Sequence, residues 1–188
     1  VRSRRQRQMC IRDRSMGDVH PGGNPHYHLG PSRFIQAAET VFDILLANDT
    51  KSADYFSTQL ANTKLHINDV KQRAMLILEG LKGQKILSYH KEFSYFFEEF
   101  NLESTGQVEE TPGVPPSAGR IARVALKAKA NKTKLVLAST INSKKILDKF
   151  YEISKVPYVQ VPAYMNKHKG ANTYEKLILG LAKKIVGE

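Results

Sequence analysis

Cysteine is nearly absent from this 188-residue chain and tryptophan is wholly absent. No apolar run approaches the ~20 residues that span a bilayer. The one cysteine, Cys10, lies in an arginine-rich opening, so the rest of the chain can form neither disulfides nor thiolate metal sites. Any metal held there must be bound by nitrogen and oxygen, and the lack of cysteine fits an extracytoplasmic protein. Catalytic signatures are missing too. There is no HExxH and no Gly-x-Ser-x-Gly, and Gly22-Gly23-Asn24 is not followed by the spacing and lysine of a phosphate loop.

Charge of one sign is plentiful, at a formal +11, but unevenly spread. Residues 1–16 hold six of the ten arginines and carry +5 of that total. This stretch has no apolar periodicity and no h-region, which excludes a signal peptide. It resembles arginine-rich translations of adapter sequence and is set aside as an artefactual or disordered basic tail. The remaining cations are mostly lysines. The tract Lys127–Lys132 closes a helix, where cations favour the dipole, and it lacks the interleaved aromatics of a nucleic-acid surface. Nucleic acid is not an expected partner.

Periodicity then sets the architecture. Pro31-Ser32 starts a helix on which Phe34, Ala37, Ala38, Val41 and Leu45 recur, and Asn48-Asp49-Thr50 breaks it. A longer helix is expected from Ser52 to about Lys82, with Tyr55, Phe56, Leu60, Ile67, Val70, Ala74, Ile77 and Leu81 on one broad face. Thirty residues make a rod of about 45 Å, either bridging two bodies or folding back as a helical hairpin. From Gly83 strands alternate with helices: strands at Lys85–Tyr89, Leu102–Val108, Lys134–Ala138 and Tyr158–Val161, and helices at Glu92–Phe100, Ser117–Lys129, Asn142–Ser154 and Thr173–Val186. Such alternation predicts an α/β fold with a small four-stranded, mostly parallel sheet flanked by helices. The expected organisation is a tail at 1–16, a histidine-containing loop and helix at 17–50, a long connecting helix at 51–82, and an α/β lobe at 83–188. Residues 17–82 have no sheet of their own, which reads as a chain truncated at its start.

Histidine carries the chemistry that remains. His90 follows the first strand, at the carboxyl edge where ligands of open α/β sheets bind. A lone strand-end histidine is more often a surface residue. The cluster Pro25-His26-Tyr27-His28, in a turn rich in proline and glycine, shifts that balance, because neutral imidazole is the commonest protein ligand for zinc. Glu92, Glu98, Glu99, Glu109 and Glu110 are the available carboxylates and read by default as solvated. A metal-dependent hydrolase would draw its general base from Glu92, next but one to His90. A nucleic-acid module rests on net charge alone.

Four segments, in order, resemble one family. GNPHYHLGPSR is similar to the NPH-x-(H/W)-LDP segment of the cluster A-I solute-binding proteins of zinc and manganese ABC transporters. SYHKEFSYFFEEFNLE, GQVEETPGVPPSAGRI and VPAYMNKHKGANTYEKLI resemble that family's later segments. The resemblance covers Gly17–Glu188. It implies two α/β lobes joined by a long helix, of which this chain would hold the C-terminal lobe, the helix and the end of the N-terminal lobe.

Carried over by position, the resemblance implies that His26 and His90 are metal ligands, with the family's first histidine absent. His90 stands where zinc binders have histidine and manganese binders a carboxylate, so the implied cargo is Zn²⁺ rather than Mn²⁺. His28 falls at a wall position and His20 has no counterpart. The loop Tyr164–Gly170 lacks the family's aspartate, leaving His168 or a water to complete the site. Gly30 replaces another aspartate, which is expected to loosen the loop holding His26. The implied protein is no enzyme. It is a monomeric carrier in the periplasm or another extracytoplasmic space that delivers a divalent metal ion to an ABC transporter permease, associated with the membrane through that permease or a missing anchor.

Overall fold

A computed structural model describes residues 23–111, 113–165 and 170–188. Cys10, His20 and His168 lie outside them. The chain divides into two compact units, each assembled from separated segments.

The first unit draws on Gln84–Phe93, Glu103–Gln160 and the stretch ending at Pro25. It contains strands β1 (Lys85–Ser88), β2 (Glu103–Gln107), β3 (Leu135–Ser139) and β4 (Tyr158–Val161, the last residue assigned to the second unit). The strand order is β2-β1-β3-β4, with β1 parallel to both neighbours. Parallel strands need crossovers, and two are helical within this unit: α4 (Ala118–Ala130) before β3 and α5 (Lys144–Ser154) before β4. The expected α/β fold with a four-stranded parallel sheet is what forms. Ser117 caps α4 as expected, its Oγ accepting from the Arg120 N–H at 3.2 Å.

Alternation sorts the sheet's side chains. Leu87, Tyr89, Val136 and Ala138 point to one face, where they pack with Ile121, Val124, Ala125 and Ala128 of α4 and with Leu147 and Phe150 of α5. At ~1.5–3 kcal/mol for each large apolar side chain removed from water, this cluster is the unit's main source of stability.

The second unit comprises His26–Gly83, Ser94–Leu102 and Val161–Glu188. Here α1 (Pro31–Asn48) and α2 (Ala53–Ile77) pack on each other as a helical hairpin, and α2 also packs on α6 (Tyr174–Val186). The short α3 (Ser94–Glu99) completes it. Asp49 makes the turn between α1 and α2: its Oδ1 accepts from the backbone N–H of Lys51 at 3.1 Å and of Ser52 at 3.3 Å.

One expectation needs correction. The long helix has 25 residues, because past Leu78 the chain tightens into a 3₁₀ turn, Glu79–Leu81, centred on the poor helix former Gly80. Its broad apolar face is only partly buried. Ile67, Val70 and Ala74 are covered, but Tyr55 is 63% exposed. Periodicity reports which residues share a face, not whether anything covers it.

Candidate metal centre

In the first unit the site grows from a strand irregularity. Between Ile86 and Ser88 the β1–β2 register slips, so that three steps along β2, from Ser104 to Gln107, oppose two along β1. Gly106 absorbs the slip at φ 113°, a backbone conformation that costs glycine little. Beyond the strands the ladder continues. Val108 N–H donates to the Ser88 carbonyl at 3.0 Å and Glu109 N–H to the Tyr89 carbonyl at 2.9 Å. Arg120 clasps the same corner, donating from Nε to the Val108 carbonyl and from Nη2 to that of Gln107. The result sets Glu109 beside His90 at the carboxyl edge of the sheet.

There His90 Nδ1 and Glu109 Oε2 stand 2.6 Å apart, within hydrogen-bond distance, with both side chains largely covered. Glu109 Oε1 accepts the Gly113 N–H at 3.1 Å, so both carboxylate oxygens are engaged. Glu92, two residues past His90, is 2% exposed, and its Oε1 has no hydrogen-bond partner. Burial pushes its carboxyl up to about 7 and the negative Glu109 pushes the same way, while the Ser139 backbone N–H draws it partly back. Burial, and then Glu109, also raise the phenol of Tyr89. Asn24 Nδ2 donates to the Lys91 carbonyl at 3.1 Å, tying the Gly23–Pro25 segment to the 3₁₀ turn Lys91–Phe93 that follows β1 within this unit.

The second unit holds the other histidines. His26 opens a 3₁₀ turn, Tyr27–Leu29, and its carbonyl accepts the Leu29 N–H. His26 is 7% exposed, and its ring centroid lies 6.4 Å from that of His28 and 6.0 Å from that of Tyr164. His28 Nε2 donates to the Ala163 carbonyl at 2.8 Å, and its ring stacks on Tyr164. Gly30 lies in this loop at a close approach to α3. Its backbone is buried against Tyr95, so that a Cβ would stand 3.0 Å from Tyr95 Cβ. The capping task has passed to Glu99, whose carboxylate accepts from the Ser32 N–H and Oγ–H, both at 2.8 Å, and pairs with Lys71.

Among the described residues, no group of three His, Cys, Asp or Glu side chains converges in a metal-holding geometry. What fits a metal is the form of the individual donors: imidazole braced by a carboxylate in one unit, and a buried imidazole among aromatic rings in the other. Sequence reasoning placed His90 at the sheet edge but treated Glu92, Glu99 and Glu109 as solvated. All three are buried or nearly so. For Glu109 a usable signal existed, since it follows β2 as closely as His90 follows β1. Glu98 and Glu110 are exposed, as expected.

Comparison with known proteins agrees with this architecture. The crystal structure of ZnuA superposes with a TM-score of 0.72 at 23% identity, covering 87% of this chain and 61% of that one. The solute-binding protein FpvC from Pseudomonas aeruginosa, in complex with Mn²⁺, gives 0.76 at 20% identity, covering 89% and 64%. A Cd-bound periplasmic metal binding protein from Candidatus Liberibacter asiaticus gives 0.73 at 17%, covering 87% and 62%. At these identities the likeness is one of fold. The chain spans about three fifths of the length of these structures. No curated protein sequence matches significantly. A family model does, over residues 5–187, nearly the whole chain. The chain therefore belongs to the ZnuA family, described as the periplasmic component A of the zinc-uptake complex.

Proposed function

We propose that this chain is part of an extracytoplasmic carrier that captures a divalent transition metal, Zn²⁺ in preference to Mn²⁺, and passes it to an ABC permease. His26 and His90 donate imidazole nitrogen to the ion. In this reading residues 17–50 and 51–82 correspond to the end of an N-terminal lobe and a linker helix, and 83–188 to the C-terminal lobe. The observation that carries it is His90, held at the carboxyl edge of a parallel sheet with one ring nitrogen against Glu109. That is how a protein presents the other nitrogen to a metal. Imidazole in place of a carboxylate favours zinc over the harder manganese ion.

The carrier binds and releases without covalent chemistry. Its ligands must be deprotonated, so binding weakens as pH falls through the ordinary imidazole range of about 6.5. Two imidazoles do not complete a tetrahedral site, so the chain by itself holds zinc weakly. Isothermal titration with Zn²⁺ of the wild-type chain beside His26→Ala and His90→Ala tests the assignment. Each substitution is expected to lower affinity by about tenfold or more. Equal affinities in all three proteins would reject it.

One observation favours a hydrolytic second reading: Glu92, buried near His90 with its carboxyl up at about 7, is poised as a general base. The carrier reading expects no turnover of activated esters with added Zn²⁺. Turnover lost in Glu92→Gln would establish the alternative.

A further inference from the structure

We infer that Glu109 is a positioning residue for metal capture: it holds the neutral His90 ring in the Nδ1–H tautomer, so that Nε2 carries the lone pair offered to the ion. The inference rests on the reading of His90 as a ligand and goes beyond it by naming what determines which nitrogen binds.

An ionised carboxylate only accepts hydrogen bonds. A ring nitrogen 2.6 Å from one of its oxygens must carry a proton, because two facing lone pairs repel. A neutral imidazole has a single N–H, so placing it on Nδ1 makes Nε2 the acceptor atom. Free imidazole exchanges between the two forms, and a ring left to choose would spend part of its time with Nε2 blocked by a proton.

Glu109 is itself immobilised. Its backbone N–H is held by the Tyr89 carbonyl, its second oxygen by Gly113 N–H, and its corner by Arg120. The brace is therefore in place before any ion arrives. Capture then requires no transfer of the ring's proton between nitrogens. The carboxylate also makes the imidazole a stronger donor, since partial negative charge at Nδ1 is relayed to Nε2. The register slip at Gly106 sets the start of this geometry, because it sets which residue after β2 stands beside His90.

The test begins with the metal-free chain, labelled with ¹⁵N at histidine, at a mildly alkaline pH where ordinary imidazole is neutral. Nitrogen–carbon-proton correlation spectra report which ring nitrogen of His90 bears the proton, with His90→Ala supplying the assignment. Wild type is expected to show the proton on Nδ1, and Glu109→Gln and Glu109→Ala to shift the ring towards the Nε2–H form. Glu109→Gln keeps the side chain's shape and remains informative if Glu109→Ala folds poorly. Zn²⁺ affinity in the variants should fall by about 10- to 100-fold, the usual cost of removing such a partner. Added to His90→Ala, the same substitutions should cost nothing further. A wild-type ring protonated on Nε2, or variants with unaltered tautomer and affinity, would overturn the inference. Zn²⁺ that leaves the wild-type His90 ring resonances unmoved is a different result, and it overturns the ligand assignment itself.

Discussion

Two glutamates in one short aromatic-rich segment, Glu92 and Glu99, fall in different units and meet opposite fates. Glu99, with a side chain 7% exposed, is answered on every side: Ser32 supplies two hydrogen bonds and Lys71 a positive charge. Burial works to raise its carboxyl, but Lys71 and Ser32 outweigh it and the net shift is downward. Glu92 is buried as deeply, yet one oxygen has no hydrogen-bond partner, a second carboxylate lies nearby, and its carboxyl rises to about 7. A buried charge with full partners is a structural latch. One without them costs stability.

The largest effect should come from unlatching the satisfied one. Glu99→Ala leaves the Ser32 N–H without its acceptor and the Lys71 ammonium without its counter-charge, although Ser32 Oγ still accepts from Lys71. Because Lys71 is partly exposed, the loss should be about 2–4 kcal/mol, read from urea denaturation midpoints. A loss under about 0.5 kcal/mol, the scale of a surface substitution, would erase the contrast.

The mirror experiment is Glu92→Gln, which should stabilise the chain by up to about 3 kcal/mol above pH 7. The sign follows from the raised value. The native state holds this proton more tightly than the unfolded state, so ionisation penalises folding. The penalty is absent below the unfolded value of 4.5, grows as pH rises, and is complete above about 7. The gain from Glu92→Gln should therefore vanish in acid. Glu99 runs the other way. Its depressed carboxyl contributes stability above its unfolded value of 4.5, and that contribution is lost as pH falls through its native value. Stability curves measured against pH for Glu92→Gln and Glu99→Gln should diverge from wild type at the alkaline end in opposite directions. Curves that shift together would break the comparison.

Gly30→Ala sharpens the picture of the Glu99 latch. The new methyl would lie 3.0 Å from Tyr95 Cβ and 3.2 Å from its carbonyl oxygen, so about 1–2 kcal/mol should be lost. Thermal unfolding would show it, and restoring an aspartate there should not help. The smallest effect belongs to Arg33–Glu98, an ion pair with both partners about half exposed. Glu98→Ala should change stability by less than about 0.5 kcal/mol. Adjacent glutamates, Glu98 and Glu99, would then differ several-fold in importance.

How much of this was legible beforehand depended on the range of the interaction. The strand and helix alternation from Gly83 onward, the cap at Ser117 and the break at Asp49 rest on residues within one turn or one strand of each other, and sequence reading found them. His90 was legible because the end of a β-strand is a local feature and the chemistry of that edge is general. The burial of Glu92, Glu99 and Glu109 was not legible, since each depends on partners far along the chain: Ser139 for Glu92, Ser32 and Lys71 for Glu99, His90 for Glu109. Which part of the apolar face of α2 is covered depends on packing in the same way.

By itself, then, the order of residues determined the α/β class, the turns and caps, the nitrogen-and-oxygen limit on metal ligands, and which histidine follows β1. These follow from periodicity, turn chemistry and composition, which act over a few residues. Only tertiary structure decided that Glu109 braces His90, that Glu99 caps α1 in place of a residue at Gly30, and that Glu92 is buried with an oxygen unanswered. The physical reason is that desolvation and hydrogen-bond geometry belong to groups brought together by packing, and the slip of a single strand register is enough to change which groups those are.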